Sequence, residues 1–169
     1  MRQFVLFAVL ASALFSCSGN KKQAEIADAK VELDQLIAVA DQKVDNTVTV
    51  VGYVTHTCKH SGKKCFIVGE SQKVSLRVEA QGDIETFSPE LVGSKLAITG
   101  TLKEQHVSRE YIDEWESGVI LLQQSEEANQ ESCAAELSSI SEWRKWMEDN
   151  NKDYYVLYYM DGLKYDVLD

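Results

Sequence analysis

Apolar positions along the chain change period several times, and each change predicts an element. From about Ala24 to Val44, residues Ile26, Ala29, Leu33, Leu36, Ile37, Ala40 and Val44 fall within one arc at 100° per residue. That spacing predicts an amphipathic helix with one face to bury. Asp45-Asn46 then breaks the pattern, and from Thr47 the period becomes two. Side chains alternate between faces along a strand, so Val48, Val50, Gly52, Val54, His56 and Cys58 are expected on one side. Cys65 to Glu70 reads as a second strand, and Lys73 to Glu79 as a third with Val74, Leu76 and Val78 on one face. Ser88-Pro89-Glu90-Leu91-Val92 predicts a short helical turn, with serine at the cap and proline at the first position. Ser94 to Leu102 is a fourth strand with Leu96, Ile98 and Leu102 directed inward.

Beyond Val107 the helical period returns. Tyr111, Ile112, Trp115, Val119 and Leu122 form one stripe; after the polar run from Gln123 to Ser132, Cys133, Leu137, Ile140, Trp143 and Met147 form another. The tail, YYVLYYM then Asp161-Gly162 then LKYDVL, places aromatic and β-branched runs around a strong hairpin signal, with one of the two strands expected to be the barrel's fifth. Its tyrosines (Tyr154, Tyr155, Tyr158, Tyr159 and Tyr165) read first as strand formers, with a stacking surface for sugars or bases as the alternative.

Glycines at 52 and 100 interrupt the first and fourth strands, where glycine commonly marks a bulge or bend. Bent first and fourth strands, with a short helix between the third and fourth, resemble the OB-fold, a small five-stranded Greek-key barrel. The resemblance runs from Thr47 to about Glu104. The pattern looks in particular like the small exported OB-fold domains found on bacterial lipoproteins. The expected class is therefore α+β: a five-stranded OB-like barrel with an N-terminal amphipathic helix and a C-terminal helical insertion plus hairpin.

The first seventeen residues, MRQFVLFAVLASALFSC, carry one positive residue, Arg2, before an apolar run from Phe4 to Phe15. The run is too short to span a bilayer. Its end, Leu14-Phe15-Ser16-Cys17, resembles the lipobox of bacterial lipoproteins. The resemblance implies a signal peptide over 1–16, cleavage before Cys17, acylation of that cysteine (palmitate among the chains) and a tether over 17–23. One domain over 24–169 would follow. It also implies a lipid-anchored protein of the cell envelope: Ser18 follows the cysteine where an aspartate would favour the inner membrane, so the outer membrane, facing the periplasm, is expected.

The 169 residues carry a formal charge of −10, which becomes −11 when Arg2 is removed. Such a chain repels nucleic acid and anionic lipid surfaces, so its partners are expected to be the membrane through Cys17 and an envelope protein, glycan or small molecule. No phosphate loop, nucleophile elbow or zinc-protease motif occurs. The chain reads as non-enzymatic, with no catalytic residues.

Candidate chemistry gathers between Thr47 and Cys65. A two-residue turn at Ser61-Gly62 would set Cys58 opposite Cys65 and His56 opposite Ile67, with opposed Cβ atoms ~5 Å apart. Three readings remain open at this point. His56, Cys58, His60 and Cys65 suit zinc or copper, although His56 and His60 lie ~13 Å apart on an extended strand. Alternatively, a Cys58–Cys65 disulfide contributes roughly 2.5 kcal/mol by closing its loop, and it excludes the metal. Lys59, Lys63 and Lys64 otherwise form a basic ligand-binding loop. The alternative to a binding module is thus an envelope metal-handling or thiol-redox protein centred on this hairpin.

Overall fold

The computed structural model describes residues 29–125 and 128–168. Six strands form one sheet: β1 (Lys30–Glu32), β2 (Thr47–Thr57), β3 (Lys64–Val68), β4 (Ser75–Ala80), β5 (Lys95–Ser108) and β6 (Tyr154–Leu168). Three helices accompany them: α1 (Leu33–Ile37), α2 (Arg109–Gln123) and α3 (Gln130–Asp149). The neighbour order is β1-β2-β3-β4-β6-β5, and β5 returns to pair with β2. Strands β2 to β6 therefore close a five-stranded barrel. It is mixed, because β4 and β6 run parallel while the other barrel contacts are antiparallel. The class is α+β, as the sequence pattern implies.

Alternation fills the barrel. Cys65, Ile67, Leu76, Val78, Leu96, Ile98, Leu102 and Met160 are completely buried. The fourth strand keeps its expected inward set and runs six residues further, to Ser108. Past Leu102 it pairs only with β6, and β6 pairs with β4 only from Tyr159 onward, so Glu104–Ser108 and Tyr154–Tyr158 leave the barrel as a two-stranded ribbon. Helices α2 and α3 pack on one face of this ribbon and enclose a second core of Val107, Ile112, Val119, Cys133, Ile140 and Met147. Tyr155 and Leu157 join that core, whereas Tyr158 packs on the barrel's. One strand thus serves two cores by its parity.

Three expectations are corrected. The helix over 24–44 is absent from its described part: residues 30–32 pair parallel with β2, a five-residue helix follows, and a 3-10 turn occupies Ala40–Gln42. Residues 24–28 lie outside the described residues. Leu33, Leu36 and Ala40 are buried nevertheless, so the apolar spacing marked a buried face and not a continuous helix.

The Asp161-Gly162 hairpin does not form either. β6 continues straight through it, and Gly162 pairs with Gly100 at a break in the β5–β6 ladder. A Cβ on Gly100 would run into the carbonyl oxygen of Asp161, and one on Gly162 would lie 2.6 Å from Val78 Cγ1. Glycine is needed here for close approach of chains, not for a turn.

The third correction concerns β2. Its ladder with β3 is irregular between Val54 and His56, leaving Thr55 as an extra residue. Beyond a bulge the parity of a strand reverses. Thr57 therefore enters the core, 3% exposed, while His56 turns outward.

Candidate ligand-binding groove

The bulge at Thr55 decides what the hairpin can do. Thr57, not Cys58, lies opposite Cys65, and His56 lies opposite Phe66. Cys65 is sealed in the barrel, where burial pushes its thiol up to about 12. Cys58 sits half-buried at the start of the turn, its thiol lowered chiefly by the Ser61 hydroxyl, then by the Ser61 and His60 backbone amides. Both are free thiols. Among the described residues no three His, Cys, Asp or Glu side chains gather to hold a metal. The expected convergence of His56, Cys58, His60 and Cys65 is thus overturned by a one-residue shift in register.

The connection from β2 to β3 is also longer than two residues. Gly62 N–H donates to the Cys58 carbonyl at 2.8 Å, and the Phe87 amide donates to Gly62 at 2.7 Å, docking the loop on the following segment. Two of its lysines are occupied: Lys63 Nζ donates to the Glu85 carbonyl at 2.7 Å, and Lys64 lies 3.6 Å from Glu79. Lys59 extends into solvent. The basic loop is largely a structural latch.

A different constellation lies on the outer face of the barrel. Inward Cys65 and Ile67 leave Phe66 outward on β3; inward Leu76 and Val78 leave Ser75, Arg77 and Glu79 outward on β4. Register then aligns His56, Phe66, Arg77, Tyr159 and Lys103 as one row across five strands. From Phe66 onward, aromatic and cationic side chains alternate along it. The His56 and Phe66 rings are 5.9 Å apart, and the Arg77 guanidinium stands 4.9 Å above the Tyr159 ring. Lys103 is tied back to Asp45 at 2.7 Å.

Two clefts open beside this row. The smaller, about 270 Å³, lies over Phe66, Ser75 and Tyr159. The larger, about 510 Å³, lies between the ribbon and the helical hairpin, against Gln105, Ser108, Tyr111, Trp115 and Trp143. Arg77 and Leu157 line both, so the two clefts adjoin there, and together they are the candidate groove from the barrel face to the hairpin. Its volume lies in the range of small-ligand sites.

The hairpin wall is held firmly. Ser108 caps α2 by accepting from the Tyr111 amide at 3.3 Å, and Asn129 caps α3 by accepting from Ser132 at 3.0 Å. Trp115 Nε1 donates to Glu136 at 2.8 Å, and Arg144 joins α3 to Asp113 and Glu116 of α2 at 2.6 and 2.8 Å. Trp143 stacks on Tyr155, centroids 4.5 Å apart and 4° from parallel, and Trp115 tilts against Trp143 at 5.2 Å. Burial raises the Tyr155 phenol, which therefore stays neutral.

Of the candidate binding residues read from the sequence, only Tyr158 and Tyr159 line this groove. The tail tyrosines do not form one stacking surface, because parity divides them: Tyr158 and Tyr165 pack on the barrel core, Tyr155 on the hairpin core, and Tyr159 under Arg77. The available signal was the strand Ser-Leu-Arg-Val-Glu-Ala, where the outward Arg77 stands between two core residues. Which aromatic ring would lie beneath it depends on the parallel pairing of β4 with β6. No family of known proteins matches this chain, and no curated protein is significantly similar to it.

Proposed function

We propose that this chain is a lipid-anchored, non-enzymatic OB-fold protein of the cell envelope, and that the groove is where it holds its ligand. The OB-fold reading is supported by the order of the barrel strands. Counted from β2, they neighbour one another as 1-2-3-5-4-1, with the third and fifth parallel. In folds of this kind, ligands lie across the second and third strands between the loops 1–2 and 4–5. The corresponding strands here are β3 and β4, and the place of loop 4–5 is taken by the α2–α3 hairpin.

One observation carries the binding assignment: the two clefts adjoin at Arg77 and Leu157, which line both, with aromatic side chains along each. Barrel and hairpin each contribute a wall, so the insertion builds a deeper site than the barrel face alone offers. The anchor rests on the lipobox-like end at Cys17, and with it the outer-membrane, periplasm-facing location. Residues 1–28 lie outside the described residues. The metal-handling or thiol alternative loses its support because Cys58 and Cys65 face different surroundings.

A small-molecule fragment screen read by ligand-detected NMR tests the assignment. Ser75→Trp projects an indole into the smaller cleft, beside Arg77 and Leu157. Fragments that bind the parent are expected to lose binding to this variant. Hits retained at full affinity place the binding site elsewhere.

A further inference from the structure

The groove has a charge character unlike the rest of the molecule. The chain carries −10 overall, yet no carboxylate lines either cleft among the described residues. One permanent cation, Arg77, stands where they meet. Its ring partner Tyr159 lies beneath the guanidinium plane, and Glu79 lies at its inner edge, with Oε1 3.1 Å from Nε. Nε is buried and makes no hydrogen bond despite that proximity. Glu79 is also the partner of Lys64, and it follows Arg77 by two residues, away from the Ser75 and Leu157 side where the clefts open. Among the described residues the guanidinium has no other ion-pair partner, and its side chain keeps 30% of its surface open.

A guanidinium stacked on a ring and backed by a carboxylate along one edge presents its remaining N–H groups as a planar fork. Carboxylates and phosphates match such a fork with two parallel hydrogen bonds. A doubly charged phosphate would meet a single arginine on a strongly acidic protein, so a singly charged carboxylate is the better match. The walls identify what carries it. Tyr111, Trp115 and Trp143 line the larger cleft, and Tyr111 is 59% exposed. Sugar rings present flat C–H faces to such rings. A peptide taken up by strand addition needs an unpaired edge, and the barrel face offers none at β3, which is paired with β2 on one side and β4 on the other. A nucleic acid would bring one phosphate per nucleotide toward a single cation.

We propose that Arg77 is the anion fork of this groove and that its ligand is a glycan bearing a uronic acid, with the carboxylate on the guanidinium and the neighbouring sugar rings against Tyr111 and Trp115. This rests on the groove being the binding site.

The test uses the full-length chain and two probes: a trisaccharide with a single glucuronic acid, and the same trisaccharide with that carboxyl reduced to the alcohol. Calorimetry on the parent is expected to show at least tenfold tighter binding of the acid, weakening as salt is raised. Arg77→Met should abolish that preference and Arg77→Lys restore only part of it, because an ammonium lacks the fork. Tyr111→Ala should weaken both probes. Equal binding of the two probes by the parent, with both weakened by Tyr111→Ala, would overturn the carboxylate assignment and leave the groove standing. An acid preference that survives Arg77→Met overturns the role of Arg77. Binding unaffected by either substitution means that the groove is not the site, and no binding of either probe overturns the glycan class.

Discussion

The contact between Gly100 and Gly162 gives the sharpest quantitative test of the barrel. In Gly100→Ala the new methyl group would run into the Asp161 carbonyl oxygen, and would lie 2.7 Å from Met160 Cγ and 2.9 Å from Gly162 Cα. Two of those three atoms are backbone within the β5–β6 ladder, and the third belongs to a completely buried side chain. None can retreat cheaply, so β5 and β6 must separate where the barrel closes. Overpacking of this kind costs ~1–3 kcal/mol, and backbone neighbours put this case at the upper end. Reduced freedom of the unfolded chain offsets about 0.4–1 kcal/mol of it. The expected net loss is ~2 kcal/mol, a fall of roughly 4–8 °C in the thermal midpoint for a domain of this size. Gly118 supplies the control. It lies within α2 with nothing within 4 Å of its hypothetical Cβ, so Gly118→Ala should stabilise by ~1 kcal/mol through helix propensity. Paired urea and thermal melts should therefore shift in opposite directions. A Gly100→Ala variant within ~0.5 kcal/mol of its parent would refute the close approach and the continuous β6 that produces it.

Further outcomes follow from other sites. Iodoacetamide should label Cys58 in the native protein at neutral pH well before Cys65, whose thiol is buried and raised to about 12. Peptide mapping that finds both labelled at similar rates would show that the Thr55 bulge is misplaced. The Asp34 carboxylate accepts from the Ser71 hydroxyl and amide at 2.6 and 3.1 Å, which holds its pKa below the usual carboxylate value. A lowered folded pKa contributes stability above the unfolded value near 3.8 and loses it as pH falls through the folded one. Asp34→Asn should thus lower the midpoint at pH 7 and flatten its decline in acid; identical pH profiles would contradict the link. Cys17→Ser should move the protein from membrane to soluble fractions, and retention in the membrane would dismiss the lipid anchor.

Much of the barrel was legible because alternation alone specifies it: Leu96, Ile98 and Leu102, or Leu76 and Val78, need no knowledge of their partners. The helical hairpin was legible through Cys133, Ile140 and Met147, which recur at helical spacing and share one core. Errors arose where a local signal had a tertiary cause. Asp161-Gly162 carries the residues of a turn, yet its glycine answers Gly100 on a strand far earlier in the chain. Thr55 has no mark in sequence to distinguish a bulge from a regular position, and that single residue separates Cys58 from Cys65. The groove was hidden for a related reason. Arg77, Leu157 and Tyr111 belong to three segments, and only the closure of β6 against β4 and β5 brings them together.

The central claim is that the ligand lies between the barrel face and the helical hairpin. Amide chemical shifts of ¹⁵N-labelled protein, followed during titration with the glucuronate trisaccharide, test it most directly. Shifts should concentrate at Phe66, Arg77, Leu157, Tyr159 and the first turn of α2 around Tyr111. Shifts confined to the separate cleft bordered by Ile37, Asp41 and Asn150, with the Arg77 and Tyr111 amides unmoved, would contradict it.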